Sequence, residues 1–107
     1  MNEITNNSSK CTIALAALQH VIDPEIGLNV VDLGLIYQLD FDDANSKIDV
    51  AMTLTTQYCP MGGAITAAVK RALENSFAGT EVKLELVFNP SWNPEMISDE
   101  GRDFLDL

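Results

Sequence analysis

Apolar residues along the chain fall into blocks of two periods, and the switches between them mark the elements. Over residues 10–22, Cys11, Ala14, Leu15, Leu18, Val21 and Ile22 recur with a helical period near 3.6, and Ser8 or Ser9 is the candidate cap. Asp23-Pro24 ends this helix, because proline disfavours a helical backbone in the residue before it. Leu35, Tyr37, Leu39 and Phe41 then alternate with Ile36, Gln38 and Asp40, the pattern of a strand with one buried face that ends at Asp42. After the turn-forming residues Asp43, Ala44, Asn45 and Ser46, Ile48, Val50, Met52 and Leu54 alternate with Lys47, Asp49, Ala51 and Thr53, so the two strands make a hairpin. The helical period returns over residues 60–77 through Met61, Ala64, Ile65, Ala68, Val69, Ala72 and Leu73, with Gly79 just past the end. Val82, Leu84, Leu86 and Phe88 give a third strand, with Glu81, Lys83 and Glu85 facing water.

Three strands with one apolar face each and two amphipathic helices predict an α+β fold, a two-layer αββαβ sandwich with both helices on the common face of a three-stranded sheet. Past the third strand, Trp92, Met96, Ile97, Phe104 and Leu105 are scattered among acids, and Asn93-Pro94 suits a cap and first helical residue, so a short, irregular C-terminal helix is expected. Residues 1–9 are polar and read as a flexible tail, which leaves residues 10–107 as a single domain. Residues 23–34 carry a proline and two glycines without a sustained period, and so long a connection marks a candidate site loop.

No apolar run in the 107 residues approaches the roughly 20 that a membrane span needs, and the polar N-terminus lacks a secretory pattern. A soluble, cytoplasmic protein with reduced cysteines is therefore expected. Sixteen acidic against 6 basic residues give a net charge of −10, which repels phosphate backbones and argues against nucleic acid as a partner. Such acidity suits a solvated surface, or attraction for a cation or a basic protein face.

The sharpest chemical signal is the corner Thr55-Thr56-Gln57-Tyr58-Cys59-Pro60-Met61-Gly62-Gly63, between the second strand and the second helix. With Pro60 at the first helical position, Cys59 falls at the N-cap, where free N–H groups and the helix dipole favour a thiolate. Gly62 and Gly63 cost the helix roughly 1 kcal/mol each against alanine, which close approach of a ligand or partner would explain. A plainer account makes Cys59 a small buried cap and lets the glycines ease helix packing. Asp23-Pro24-Glu25, with Asp32 beyond, is either a turn-former beside a solvated carboxylate or, if the loop folds near Cys59, a set of acids beside a thiol. Carboxylates would raise the thiol pKa and oppose free nucleophilic chemistry, whereas a bound cation reverses that penalty. Iron-sulfur clusters usually take four thiolates and structural zinc four Cys or His ligands, so Cys59, Cys11 and His20 cannot build a stable single-chain site. Cys11 lies on an apolar helical stripe and reads as core, and His20 reads as surface or cap. There is no Gly-rich phosphate loop, HExxH or CxxC.

Three blocks of residues resemble the metal-sulfur cluster biosynthetic family that includes SufT, the PaaD assembly proteins and the eukaryotic cytosolic iron-sulfur targeting factors. They are Val21-Ile22-Asp23-Pro24-Glu25 continuing to Val31-Asp32-Leu33-Gly34-Leu35-Ile36-Tyr37, then Met52-Thr53-Leu54-Thr55-Thr56 through Cys59-Pro60, and Asn89-Pro90-Ser91-Trp92-Asn93-Pro94-Glu95-Met96-Ile97-Ser98. The resemblance implies the αββαβ fold, a role in maturing iron-sulfur proteins, and a functional cysteine at Cys59, with Asp23, Glu25, Thr55 and Thr56 as motif positions near it. Where the family often has proline-glycine before the cysteine, this chain has Gln57-Tyr58, so Tyr58 is a candidate cover for the thiol or partner contact. The expected role is an assembly or transfer factor rather than an enzyme. It would engage iron or a cluster transiently through Cys59, Asp23 and Glu25, with no tightly bound cofactor. Its partners would be the assembly machinery and client apoproteins, and a homodimer is one way to bring missing ligands. Two alternatives stand beside it: an adaptor for a metalloenzyme or oxygenase that docks through Trp92 and Met96, and a thiol enzyme using Cys59 with His20 or Asp23. Trp92 would serve the adaptor as an anchor, or would instead pin the tail to the core.

Overall fold

A shared apolar sheet face has to be covered, and two helices cover it. The computed structural model describes residues 4–24, 26–55 and 62–105. Strands β1 (Ile4–Thr5), β2 (Ile36–Asp42), β3 (Lys47–Met52) and β4 (Glu81–Leu86) form one sheet in that order. Helix α1 (Ser8–Leu18) lies between β1 and β2, and α2 (Gly62–Ser76) between β3 and β4; a 3-10 turn (Pro94–Met96) and α3 (Asp99–Leu105) end the chain. The core joins Leu39, Ile48, Val50, Met52 and Val82 of the sheet to Ala14, Leu15 and Leu18 of α1 and Ile65, Val69 and Leu73 of α2. Side chains this deeply buried are each worth about 1.5–3 kcal/mol. The predicted αββαβ order is thus present.

The pairing places the loops. Strands β2 and β3 are antiparallel, and β4 runs parallel to β3, so α2 is the crossover that returns the chain to the same sheet. One end of the sheet therefore holds the 43–46 turn and the start of β4. The other holds the start of β2, the ends of β3 and β4, and the start of α2.

Several boundaries differ from the sequence expectation, each for a local reason. The first helix starts at Ser8 with Asn7 as cap, its side chain accepting from the Lys10 amide, so neither Ser8 nor Ser9 caps it. It ends at Leu18 because Val21 and Ile22 turn to the 29–30 segment, through the Val30 N to Val21 O bond and the Ile22–Asn29 bridge. Within the expected flexible tail, Ile4 and Thr5 pair parallel with Gln38 and Leu39 and add a fourth strand. Asn6 extends that pairing with its side chain: Nδ2 donates to Phe41 O at 3.0 Å and Oδ1 accepts from Phe41 N at 2.9 Å.

In β2 the expected alternation breaks. Ile36 pairs with Met52 but Gln38 pairs with Ala51, so Tyr37 is an inserted residue. The bulge turns Ile36 inward, to 3% exposure, and leaves Tyr37 only half-buried. The third strand stops at Leu86, leaving Phe88 outside it; both side chains are exposed. Strand β3 stops at Met52, but Thr53 and Leu54 remain buried beyond it. Asn93 does cap the turn that begins with Pro94, as expected.

Candidate functional site

The Asp23-Pro24 step makes a tight reversal. The Asp23 carbonyl accepts from Gly27 N at 2.7 Å and Ile26 N at 3.3 Å, and its amide donates to Leu28 O at 2.9 Å. Gly27 makes this possible at φ +83, a backbone conformation side chains other than glycine's disfavour. Asp23 is therefore the turn-former that its residue type suggests, yet its side chain is not at the surface: it is 1% exposed. Charged side chains are rarely buried so deeply without a structural or functional reason.

The chain then makes one helical turn closed by a Schellman motif, with Leu35 N donating to Val30 O and Gly34 N to Val31 O. Gly34, at φ +79, has a second reason to be glycine, since a Cβ there would lie 2.4 Å from the Met96 carbonyl oxygen. From this turn the route to the corner is short: Leu35 O accepts from Thr53 N at 2.8 Å, so the Asp23 loop runs straight onto the end of β3. Thr53 is fully buried and hydrogen-bonds the Tyr37 hydroxyl, and burial raises the pKa of that hydroxyl. Thr55, half-buried, is the last described residue before the segment that carries Cys59.

The C-terminal segment clasps this loop. Trp92 Nε1 donates to Leu33 O at 2.6 Å, Tyr37 Oη donates to Pro90 O at 2.9 Å, and Ser98 Oγ donates to Asp32 Oδ1 at 2.8 Å. The other Asp32 oxygen accepts from Asn29 Nδ2 at 2.6 Å, and Gly101 N donates to Ser98 Oγ at 3.0 Å, which ties the start of α3 to the loop. Met96 lies half-buried with its sulfur 3.5 Å from Tyr37 Oη. Trp92 and Met96, the expected docking patch, are thus engaged within the chain, and Trp92 pins the tail to the loop.

The structure brings the Asp23 loop, Asp32, Thr55 and the first turn of α2 to one end of the sheet. Glu25, Thr56, Tyr58 and Cys59 lie outside the described residues. Gly62 opens α2, and Gly63 is exposed with nothing within 4 Å of where a Cβ would stand. Among the described residues, packing therefore gives no reason for a glycine at Gly63. Cys11 is in the core and His20 is exposed beyond α1, with its amide bonded to Ala17 O. Among the described residues, no group of three or more His, Cys, Asp or Glu is placed to hold a metal ion. Residue-by-residue reading did not single out Tyr37, Thr53 and Ser98 as parts of the site frame. Tyr37 was assigned by alternation to the buried face, and only the bulge frees its hydroxyl to cross to the tail.

Comparison with known proteins bears on this arrangement. A model of the family described as iron-sulfur cluster assembly protein matches residues 13–84. An Fe-S protein maturation auxiliary factor of Porphyromonas gingivalis is 43% identical over 84 residues, covering 78% of this chain and 79% of that protein. The Staphylococcus aureus Fe-S protein maturation auxiliary factor SufT is 40% identical, covering 73% and 88% respectively. Among solved structures, a domain of unknown function from Bacillus anthracis superposes with a TM-score of 0.83 at 33% identity, covering 94% of this chain and 99% of the other. A Mycobacterium tuberculosis protein described as associated with [Fe-S] complex assembly and repair has a TM-score of 0.52 at 35% identity, covering 99% and 92%.

Proposed function

We propose that this chain, which belongs to the iron-sulfur cluster assembly protein family, acts as an accessory factor in the maturation of iron-sulfur proteins, with Cys59 as its working thiol. The observation that carries the reading is the meeting, at one sheet end, of the buried Asp23 turn, the end of β3 and the first turn of α2. The chain between the last two holds Cys59. Among the described residues nothing stands against Gly63, which leaves room for a partner backbone to approach that turn.

One thiol supplies one of the roughly four ligands a cluster takes, so iron or a cluster is cargo here and the remaining ligands come from an assembly protein or client. Glu25 would offer oxygen donors for brief contact with an iron species, while Asp23, 1% exposed, stays inside the loop. The role is transfer rather than enzymatic turnover, in a reducing compartment such as the cytoplasm, where Cys59 stays a thiol. Among the described residues no helix is long and apolar enough to cross a membrane. An adaptor role through Trp92 would use the ring face alone, because its indole N–H is bonded to Leu33 O.

The test is anaerobic maturation of a purified client apoprotein, followed by its cluster absorbance. Cys59→Ser is expected to lower the rate about tenfold or more, consistent with loss of the attacking or ligating thiolate. Equal maturation by wild type and Cys59→Ser would reject the thiol's role.

A further inference from the structure

Strand β4 is the last strand of the sheet, and among the described residues no strand pairs with its outer side. Glu81 N bonds Ser46 O and Val87 N bonds Met52 O, so the odd-numbered peptide groups of β4 face β3. With the two-residue period of a strand, the peptide groups of Val82, Leu84 and Leu86 face outward. Among the described residues, none of these outward groups has a hydrogen-bond partner. An unprotected strand edge is a template for another strand.

The side chains restrict what can pair there. Glu81, Lys83 and Glu85 are exposed, Val82 is buried, and Leu86 is 40% exposed. Because hydrogen-bonded pairs must join outward-facing groups, an antiparallel copy of β4 has only a few registers open to it. One places Lys83 opposite the partner's Lys83, and like charges directly opposite repel. Another pairs Glu81 with the partner's Lys83 but runs Leu84 and Leu86 off the end of the partner strand. The remaining well-overlapped register sets Leu84 opposite the partner's Leu84 and Val82 opposite the partner's Leu86. It also sets Lys83 opposite the partner's Glu85, twice by symmetry.

We infer that β4 is the seam of a twofold homodimer in this last register, joining the two sheets edge to edge. A lysine in the middle of an edge strand ordinarily blocks such pairing. Here the flanking glutamate turns it into a selector of register: Lys83 refuses its own copy and accepts Glu85. The pairing is isologous and closes on itself, so no fibre follows. It also covers the exposed Leu86 with an apolar neighbour. The seam is antiparallel, so the two site ends, each beyond Leu86, point in opposite directions. The dimer therefore carries two separate sites and does not complete either one, a conclusion independent of what Cys59 does.

Sedimentation velocity of the full chain in about 0.15 M salt, from about 10 µM to 1 mM, tests the seam, because an interface this small is expected to be weak. Wild type should shift to twice the monomer mass as concentration rises. Lys83→Glu and Glu85→Lys should each weaken dimerisation roughly tenfold or more, since each sets like charges opposite one another. Circular dichroism should show both folded, because both side chains are exposed. Two combinations should restore the dimer: the double variant Lys83→Glu/Glu85→Lys, and an equimolar mixture of the two single variants. A wild type that stays monomeric throughout would overturn the inference. So would a dimer indifferent to either single swap, or one that neither combination rescues.

Discussion

At the hairpin end of the sheet, the 42–46 turn is closed by bonds between neighbours in sequence, whereas at the opposite end the site loop, closed by bonds of its own, is also tied to residues far away. Asp42 accepts from both the amide and the side chain of Asn45, three residues on, and Ser46 takes the turn at φ +52. Lys10, which pairs with Asp43, and Phe77, 5.6 Å from Phe41, line a half-open pocket of about 240 Å³ beside that turn. At the site end, the bonds Tyr37–Pro90, Trp92–Leu33 and Ser98–Asp32 span 53, 59 and 66 residues. Both turns close through local bonds, but the site loop carries in addition the three long-range bonds of the C-terminal clasp. Substitutions should follow the same division.

Two glycines give the largest contrast. Gly79, near the hairpin end, has φ +78 with nothing within 4 Å of a Cβ, so Gly79→Ala should cost about 1–2 kcal/mol, the backbone term alone. Gly34 has a similar φ of +79, but its Cβ would meet Met96 O at 2.4 Å and Met96 Cβ at 2.9 Å. Gly34→Ala should therefore cost about 3 kcal/mol or more, because backbone strain and displacement of the clasp combine. Urea unfolding measures both; equal costs would mean that the clasp yields freely, and the contrast between the two ends would be gone.

The same division explains what could be read from the sequence. The αββαβ order was legible because each element carries its own period: 3.6 in α1 and α2, two in the strands. The Tyr37 bulge was not, since it exists only as a mismatch between β2 and β3, and β2 alone still alternates. Strand β1 was hidden because two residues make no pattern and its extension comes from the Asn6 amide. Asp23 read correctly as a turn residue, but its burial depends on packing around the 21–35 segment that no local rule describes. Trp92 shows the limit most clearly. Its type announced an anchor, and only the fold shows Leu33 O as what it is anchored to. Helix-start position and ligand counting make Cys59 a candidate thiol, and its placement lies outside the described residues.

A smaller effect should sharpen the contrast. Ser98→Ala removes the hydroxyl that donates to Asp32 and accepts from Gly101 N, and should cost about 1–2 kcal/mol. The loss should be local. Amide exchange should accelerate at Gly101, Asp32 and Leu33 and stay unchanged at Ser46 and Asn45. Uniform acceleration throughout the sheet would show that the clasp and the hairpin open as one unit.

The smallest expected effect is opposite in pH at the two ends. Burial raises the pKa of Tyr37 above its ordinary value near 10, an effect the Thr53 hydrogen bond only partly offsets. The fold thus favours the neutral phenol. Below pH 10 both states hold the proton and nothing changes, but above it the unfolded chain loses its proton first, so stability falls as pH rises. At the hairpin end, hydrogen bonds from the Asn45 side chain and then its amide lower the pKa of Asp42. That contribution is present above the ordinary carboxylate value near 3.9 and is lost as pH falls through the lowered one. Melting temperatures followed against pH should therefore decline less steeply in alkali for Tyr37→Phe, and less steeply in acid for Asp42→Asn, than for wild type. Asp42 lies half-buried beside the open turn, where solvent screens it, so its slope change should be the weaker of the two. A Tyr37→Phe variant that keeps the full alkaline slope would show that the phenol is as well solvated in the fold as in the unfolded chain, and that the clasp over it is loose.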